Sequence, residues 1–444
     1  MVRVLVLYPG NVRFRQAQVA THKPLLDALG IELVLCDDYV DPTDREVFAD
    51  VIELPPPTRV GDGLRRIEAA LSRREAHAVV AQSESAACLG SLVARRIGAP
   101  ALTPEAALAT TSKLRTRRAL LAAGVPQPRF ALVSTATEVR AFARDVGYPV
   151  VLKGVASALG RLVTMVRDER EVDEAVARVR VGLPESVDVE RLRDFAREAR
   201  LDLECDPREQ FLVESFARGA PVETDGVVSG PVPGRIPHAN VGNYGVTEQA
   251  LSRPPLFFME GYLLPADRPA HELAEIERVS DAALRATGVG NSGFSVELRL
   301  DEGRASIIEV NGRLGWDEGF GDLFALVTGS QPAFHTLQVA LGQPVAFERD
   351  PNVHAALAYA CCYDDRIVAR VPTQREIEAV SASHHVSMGL AVFEGDRVHA
   401  PPHPDATPHL AYALATDARS SAAAYARARA AVDELVFELR PVAP

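Results

Sequence analysis

Two neighbouring stretches near residue 300 show the clearest pattern of apolar and polar positions in the chain. Residues 294–300 alternate between apolar and polar side chains, and residues 306–311 are rich in β-branched residues. Both patterns are typical of β-strands, and the short connection around Gly303 predicts a hairpin. Every second side chain of a strand points to the same face, so the polar residues of the hairpin should line one side of a sheet.

The first 104 residues alternate strand-like and helical segments. The strand-like runs are residues 2–8, 31–35 and 78–81, and helical spacing occurs at residues 23–29 and 64–73. This alternation predicts a small parallel sheet covered by helices. No Gly-x-Gly-x-x-Gly motif follows the first strand, which argues against a dinucleotide-binding domain. Glu84 follows the third strand, where it is either a substrate contact or a solvated helix start.

The remaining residues divide into three further segments. Residues 105–213 contain helical stretches and strand-like runs, one of which ends at Lys153. Residues 214–349 contain the hairpin and a helix at 272–287, and residues 350–444 contain strands and a helix at 420–434. A lysine that ends a buried apolar strand is costly unless its ammonium group meets an anion. We therefore expect several packed units and an anion near Lys153.

The composition is that of a globular protein without a membrane span. The chain has 444 residues, of which 47% are hydrophobic and 24% are charged. Its net charge of −12 argues against a protein that wraps nucleic acid or lies on an anionic membrane. No apolar run reaches the roughly 18 residues of a membrane span, and the first residues lack the pattern of a signal peptide. The five cysteines include no Cys-x-x-Cys pair, which fits a reducing cytoplasm.

The polar residues of the hairpin have the chemistry of a metal site. If the connecting loop holds three residues, Glu297 and Glu309 face each other, whereas a two-residue loop would separate them. Asn311 lies two residues beyond Glu309 and points to the same face. Two carboxylates about 4 Å apart repel each other by roughly 4 kcal/mol at a dielectric constant near 20, so the pair requires a cation. Oxygen ligands favour Mg²⁺, and Arg313 adds a planar fork of donors for a carboxylate or phosphoryl group.

A glutamate, a hairpin and the sequence Glu309-Val-Asn-Gly-Arg313 together resemble the metal-binding signature of the ATP-grasp carboxylate–amine ligases. The resemblance is nearest to the branch of L-amino-acid ligases, which form dipeptides. It implies an ATP-grasp fold of the α/β and α+β classes. The implied units are a pre-ATP-grasp parallel-sheet domain at 1–104, an ATP-grasp N-terminal part with a lid at 105–213, an ATP-grasp C-terminal part with the metal site at 214–349 and a C-terminal α+β subdomain at 350–444.

The resemblance also implies roles for particular residues. Glu297, Glu309 and Asn311 would bind Mg²⁺ or Mn²⁺, and Arg313 and Lys153 would act on the reacting phosphoryl group. The residues implied to bind ATP are Lys113, Lys153, Ser157, Gly160, Glu214, Phe216 and Glu223. The candidate substrate contacts are Glu84, His238, Trp316 and Asp317.

Two regions depart from the family pattern. Gly154 stands where a proline is usual, and Gly160 is what remains of a richer glycine run in the loop that would cover the phosphates. Pro221 stands where a ribose-binding glutamate is common. Glu223 would replace that glutamate if a β-bulge re-aims its side chain.

The implied function is an ATP-dependent ligase that joins a carboxylate, an amino acid or a related acid, to an amine through an acyl phosphate. ADP and phosphate would be released. The expected partners are small-molecule substrates, and neither nucleic acid nor a membrane is expected. Whether the protein forms a homodimer is left open. Two alternatives remain: the same fold with another acceptor, as in purine-biosynthetic or biotin carboxylase-like enzymes, and a nucleotide-binding regulatory protein without catalysis.

Overall fold

The N-terminal segment forms a parallel sheet. The structure, a computed structural model, describes residues 1–10, 12–157, 162–230, 240–253, 258–315, 317–399 and 408–442. Its first elements are β1 (Val2–Leu7), α1 (Val12–Ala28), β2 (Ile31–Asp37), α2 (Asp44–Val47), β3 (Asp50–Glu53), α3 (Val60–Leu71), β4 (Ala78–Val80) and α4 (Glu84–Ile97). The strands lie in the order β3-β2-β1-β4 and pair in parallel, which confirms the predicted sheet.

A second, four-stranded sheet follows two short helices. The elements are α5 (Pro104–Thr111), α6 (Lys113–Ala122), β5 (Phe130–Val133), α7 (Ala136–Val146), β6 (Val150–Gly154), β7 (Val163–Val166), a 3₁₀ turn (Glu169–Glu171), α8 (Val172–Gly182), α9 (Val187–Ala199) and β8 (Phe211–Ser215). The strand order is β5-β8-β6-β7 and the pairing is antiparallel. Ser112 accepts a hydrogen bond from the backbone N–H of Arg115 and caps α6, so this helix begins at Lys113.

The largest sheet has eight antiparallel strands. Its first elements are β9 (Ala220–Ser229), β10 (Asn240–Leu251), β11 (Met259–Leu264), α10 (Ala270–Thr287), β12 (Ser292–Asp301), β13 (Arg304–Asn311), α11 (Phe320–Thr328) and α12 (Pro332–Ala340). Strands β12 and β13 are the predicted hairpin, here called the acidic hairpin. Its apolar residues Phe294, Val296 and Leu298 are buried against Ile276 and Val279 of α10. The polar residues of the hairpin consequently point to the other face of the sheet.

The C-terminal segment extends the same sheet. Its elements are β14 (His354–Cys361), β15 (Arg366–Arg370), α13 (Gln374–His384), β16 (Ser387–Leu390), β17 (Arg397–Val398), β18 (His409–Asp417), α14 (Ser421–Glu434) and β19 (Glu438–Pro441). The large sheet runs β13-β12-β9-β10-β11-β14-β18-β16, and β17, β15 and β19 form a small separate sheet. The boundary proposed near residue 349 thus lies between strands of one sheet. Within the described ranges, we find no helix whose length and hydropathy would let it traverse a bilayer.

Candidate active site

The loop of the acidic hairpin has two residues, Glu302 and Gly303, rather than three. Both have positive φ, at 49° and 76°, as a tight two-residue turn requires. Such a loop alone would place Glu297 opposite Ile308. The register shifts by one residue next to Glu297, however, so that Leu298 pairs with Ile307 and Glu297 pairs with Glu309. Ile308 is therefore the extra residue of a β-bulge, and the bulge restores the pairing that the loop length would have abolished.

The acidic groups form two adjacent rows across three strands. Glu309, Glu297 and Glu223 occupy the same row on β13, β12 and β9. Asn311, Ser295 and Asp225 occupy the next row, two residues along each strand. Because alternate residues share a face, all of these side chains point to one side of the sheet. We call this surface the acidic face.

Glu223 is held by protein groups. Ser295 Oγ donates to one carboxylate oxygen at 2.6 Å, and Gln249 Nε2 donates to the other at 2.7 Å. Strand β9 pairs with β12 in one continuous register through Glu223, so this pairing contains no bulge that would re-aim the side chain. The sequence analysis expected Glu223 to bind ribose only if a β-bulge turned its side chain, and the pairing of β9 with β12 does not provide that bulge.

The acidic face has an excess of negative charge. Burial, together with Glu309 and Glu223, raises the pKa of Glu297 to about 8. Burial likewise raises the pKa of Asp225 to about 7. Among described residues, no donor forms a hydrogen bond with the Glu297 carboxyl group, and no cluster of three His, Cys, Asp or Glu side chains is arranged as a metal site. The predicted set instead joins two carboxyl groups to the Asn311 amide, and its uncompensated charge fits a divalent cation.

Two cationic side chains lie beside these acids. Lys113 Nζ is 2.7 Å from Glu309 Oε1. Burial alone would raise the pKa of Glu309, but the Lys113 ammonium lowers it below its usual range. Arg313 lies 3.3 Å from Glu84, which begins α4. The structure thus brings the N-terminal sheet domain, α6 and the acidic hairpin together at one site.

Arg117 is a buried residue of the site that the sequence analysis missed. Its Nε and Nη2 atoms donate to the two carboxylate oxygens of Glu214 at 2.6 and 3.0 Å. Lys153 Nζ lies 2.8 Å from the same carboxylate. Arg117 also donates to the backbone carbonyl oxygens of Ile308, the bulge residue, and of its neighbour Ile307. One signal was available: Arg117 is four residues after Lys113 and shares its helix face.

The other predicted residues have varied positions. Phe216 follows the last residue of β8, and Ser157 is buried with a hydroxyl group that has no partner among described residues. The Tyr262 hydroxyl group donates to Asp317 Oδ2 at 2.6 Å. The residues that lie outside the described ranges are Gly160, His238 and Trp316.

The fold places the protein in a known class. Residues 118–202 match the sequence profile of the ATP-grasp domain. The structure is similar to an L-amino acid ligase from Bacillus licheniformis, with a TM-score of 0.75, 18% identity and coverage of 99% of this chain and 98% of that chain. It is also similar to a biotin carboxylase from Campylobacter jejuni, with a TM-score of 0.68, 17% identity and coverage of 99% and 93%. The chain therefore has an ATP-grasp fold, which is the fold that the resemblance of the acidic hairpin implied.

A relative identified by sequence is an uncharacterized protein, y4rH, of Sinorhizobium fredii. It is 28% identical over 240 residues, which cover 53% of this chain and 43% of the relative. This chain thus spans less than half of that relative's length. At 17–18% identity, the solved structures establish the fold and leave the reaction to be argued from the site.

Proposed function

We propose that this protein is an ATP-dependent ligase that joins a carboxylate to an amine through an acyl phosphate and releases ADP and phosphate. An amino acid as the carboxylate substrate and a dipeptide as the product are the proposed specifics. The observation that carries the proposal is the pairing of Glu297 with Glu309 on one face of the sheet, where Lys113 forms an ion pair with Glu309 and, among the described residues, Glu297 has no ion-pair partner. A divalent metal ion bound together with the nucleotide would supply positive charge beside these carboxyl groups.

Glu297, Glu309 and Asn311 would hold Mg²⁺ or Mn²⁺. When bound, the metal would polarise the phosphoryl oxygens and offset their charge. Lys113 and Lys153 each form an ion pair with a glutamate, Glu309 and Glu214 respectively. Both ammonium groups are therefore held at the edge of the site before an anion arrives, which reduces the reorganisation needed on binding.

Glu214 is proposed to position Lys153. Both of its oxygens are occupied, by Arg117 on one side and by Arg117 and Lys153 on the other. Because both oxygens of Glu214 already bind Arg117 and Lys153, the expected contact of Glu214 with adenine or ribose is disfavoured. We retain the backbone near Phe216 as the adenine contact, because the strand end leaves peptide groups available there.

Arg313 is proposed to contact the carboxylate and the transferred phosphoryl group. Its guanidinium group lies beside Glu84, and it follows Asn311 by two residues on the chain that leaves β13. A planar fork of donors can bind two oxygens of an acyl phosphate. Glu84 and Asp317 are the proposed contacts for the ammonium group of a substrate, and Ser157 is the proposed lid contact.

All five cysteines have free thiols, which supports a proposed location in a reducing cytoplasm. A homodimer is likewise retained as a proposal. The substrates are expected to be small molecules, and the net charge of −12 disfavours nucleic acid.

The proposal is tested by measuring phosphate release with ATP, Mg²⁺ and pairs of amino acids, followed by mass spectrometry of the products. We expect release that requires both a carboxylate and an amine, together with a product whose mass equals their sum minus water. The Glu309→Ala variant serves as the inactive control. If phosphate release requires bicarbonate or formate, the protein is an ATP-grasp enzyme with another acceptor and the proposal is wrong. ATP binding without substrate-stimulated release would favour a regulatory protein.

A further inference from the structure

Residues 312–319, here called the connecting segment, join the end of β13 to the start of α11. Two tyrosines of the large sheet hold the far end of this segment. Tyr262 of β11 donates to the Asp317 carboxylate at 2.6 Å, and Tyr359 of β14 donates to the backbone carbonyl oxygen of Glu318 at 2.9 Å. The position of the segment therefore depends on strands that lie far from the acidic hairpin in the sequence.

His409, the first residue of β18, adds a charged contact to the same segment. Its Nε2 atom lies 2.9 Å from the backbone carbonyl oxygen of Met259, and its Nδ1 atom lies 3.6 Å from Glu318 Oε2. The ring stacks on Tyr359, with 3.9 Å between the ring centroids and 7° between the ring planes. The imidazole is thus held on one face and at both nitrogens.

Both ring nitrogens of His409 face acceptors. A carbonyl oxygen can only accept a hydrogen bond, so the contact with Met259 requires a proton on Nε2. In the neutral ring the lone pair of Nδ1 would then face the Glu318 carboxylate, whereas in the imidazolium both nitrogens donate. Burial would lower the pKa of His409, but Glu318, Asp317 and the Met259 carbonyl oxygen raise it above its ordinary value. The surroundings therefore match the charged form.

Other titratable groups lie around this contact, and they differ from His409 in the pH at which they change charge. They are Asp317 and Glu318 of the connecting segment, Tyr262 of β11, Tyr359 and Cys361 of β14, and Tyr412 of β18. Burial raises the pKa of the three tyrosines, and it raises that of the Cys361 thiol to about 11. Burial would also raise the pKa of Glu318, but His409 lowers it below its ordinary value. The tyrosines, the thiol and Glu318 thus keep one charge state between about pH 6 and pH 9, the range in which the imidazole titrates.

We propose that His409, in its charged form, is a positioning residue for the ligase reaction: it holds Glu318, fixes the connecting segment and so aligns Arg313 with the acyl phosphate. The inference rests on the proposed function. At its other end the segment is anchored by the Gly315 N–H, which donates to Asp225 Oδ1 at 3.0 Å. When His409 loses its proton, its lone pair opposes the Glu318 carboxylate, and we expect the segment to shift.

The first test uses Trp316, the single tryptophan of the chain, as a fluorescent probe within the connecting segment. Fluorescence is measured between about pH 6 and pH 9 in wild type, His409→Gln and Glu318→Gln. We expect wild type to show a transition with a midpoint above about pH 6.5, and His409→Gln to show none. In Glu318→Gln the midpoint should fall by about one pH unit, because a carboxylate that favours the imidazolium is gone. His384→Gln is the matched control, because His384 of α13 forms a similar pair with Glu434 at 2.7 Å.

The second test measures amine-dependent phosphate release over the same pH range. We expect His409→Gln to lower kcat at least about tenfold near pH 6.5, because a misplaced guanidinium group is lost to the reaction, and to leave the KM for ATP unchanged. The ratio of wild-type kcat to variant kcat should fall toward one as the pH rises, since wild type then loses the imidazolium as well. His384→Gln should match wild type throughout.

A fluorescence transition that survives in His409→Gln, or that is also lost in His384→Gln, would overturn the inference. A kcat ratio that stays constant with pH would assign His409 a purely structural role and would overturn it too. If wild type releases no phosphate with any amine, the proposed function fails, while the fluorescence titration still decides whether His409 fixes the connecting segment. Circular dichroism of each variant establishes that folded proteins are compared.

Discussion

Replacing Arg117 with methionine tests whether the hairpin register depends on one buried guanidinium group. Arg117 is 2% exposed. It donates at 2.6 and 3.0 Å to Glu214 and at 3.0 and 2.8 Å to the carbonyl oxygens of Ile307 and Ile308. Methionine keeps a long apolar side chain and removes all of these hydrogen bonds. Lys153 then remains as the ionic partner of Glu214.

The expected cost follows from the buried ion pair. Removing one partner of such a pair destabilises a protein by about 3–5 kcal/mol, because it leaves an uncompensated charge. Burial alone would raise the pKa of Glu214, but Lys153 and Arg117 lower it to about 2 from an ordinary 4.5. That difference corresponds to about 3 kcal/mol of stabilisation at pH 7 from both cations together. Because Lys153 remains on Glu214, the variant loses only part of that stabilisation, but it also loses the two hydrogen bonds to the carbonyl oxygens of Ile307 and Ile308, and we expect about 3 kcal/mol in total.

The sign of the pH dependence follows from the lowered pKa. The stabilisation is fully present above pH 4.5 and is lost as the pH falls through about 2. At pH 3 roughly 1 kcal/mol of it should remain. Urea titrations of wild type and Arg117→Met at pH 7 and pH 3 should therefore show a large difference at pH 7 and a smaller one at pH 3.

Arg118→Met is the matched control, because Arg118 is the next residue and its side chain is 44% exposed. An exposed ion pair contributes at most about 1 kcal/mol. If Arg117→Met were no less stable than Arg118→Met at pH 7, the reasoning about the buried pair would be refuted. Arg117→Met should also lose ATP turnover at temperatures where it is folded, because the bulge beside Glu309 loses the hydrogen bonds from Arg117.

Three further substitutions test the proposed site. Glu309→Ala should lower Mg²⁺-dependent ADP release by at least about 100-fold because a metal ligand is lost; near-normal turnover would remove Glu309 from the mechanism. Lys153→Ala should weaken ATP binding about tenfold or more in calorimetry, and an unchanged affinity would contradict its role. Arg313→Lys should reduce kcat while leaving ATP affinity unchanged, since a lysine cannot replace the bidentate fork; equal loss of ATP affinity would reassign Arg313 to the nucleotide.

Local patterns predicted the elements of the site well. The alternation at 294–300 and the β-branched run at 306–311 correspond to β12 and β13, because burial of one sheet face imposes a two-residue period. The apolar run before Lys153 corresponds to β6. These signals depend on residues close in sequence, which is why they could be identified without the structure.

The pairing of strands could not be obtained in this way. The adjacent residues Ile307 and Ile308 have the same side chain, so the sequence does not indicate which of them is the extra residue of the bulge. Arg117, from a helix 190 residues earlier, donates hydrogen bonds to both carbonyl oxygens, and we expect this contact to fix which residue is the extra one. The loop has the two residues that would by themselves separate the glutamates, and the register shift next to Glu297 nevertheless pairs Glu297 with Glu309.

The sequence by itself determined the chemical types of the site, which are two glutamates, an asparagine, an arginine and two lysines in or beside recognisable helices and strands. The tertiary structure decided which groups are partners, since it pairs Lys113 with Glu309, Lys153 with Glu214 and Arg313 with Glu84. The physical reason is that element formation follows local periodicity, whereas ion pairs and bulges depend on contacts between segments that are distant in the chain.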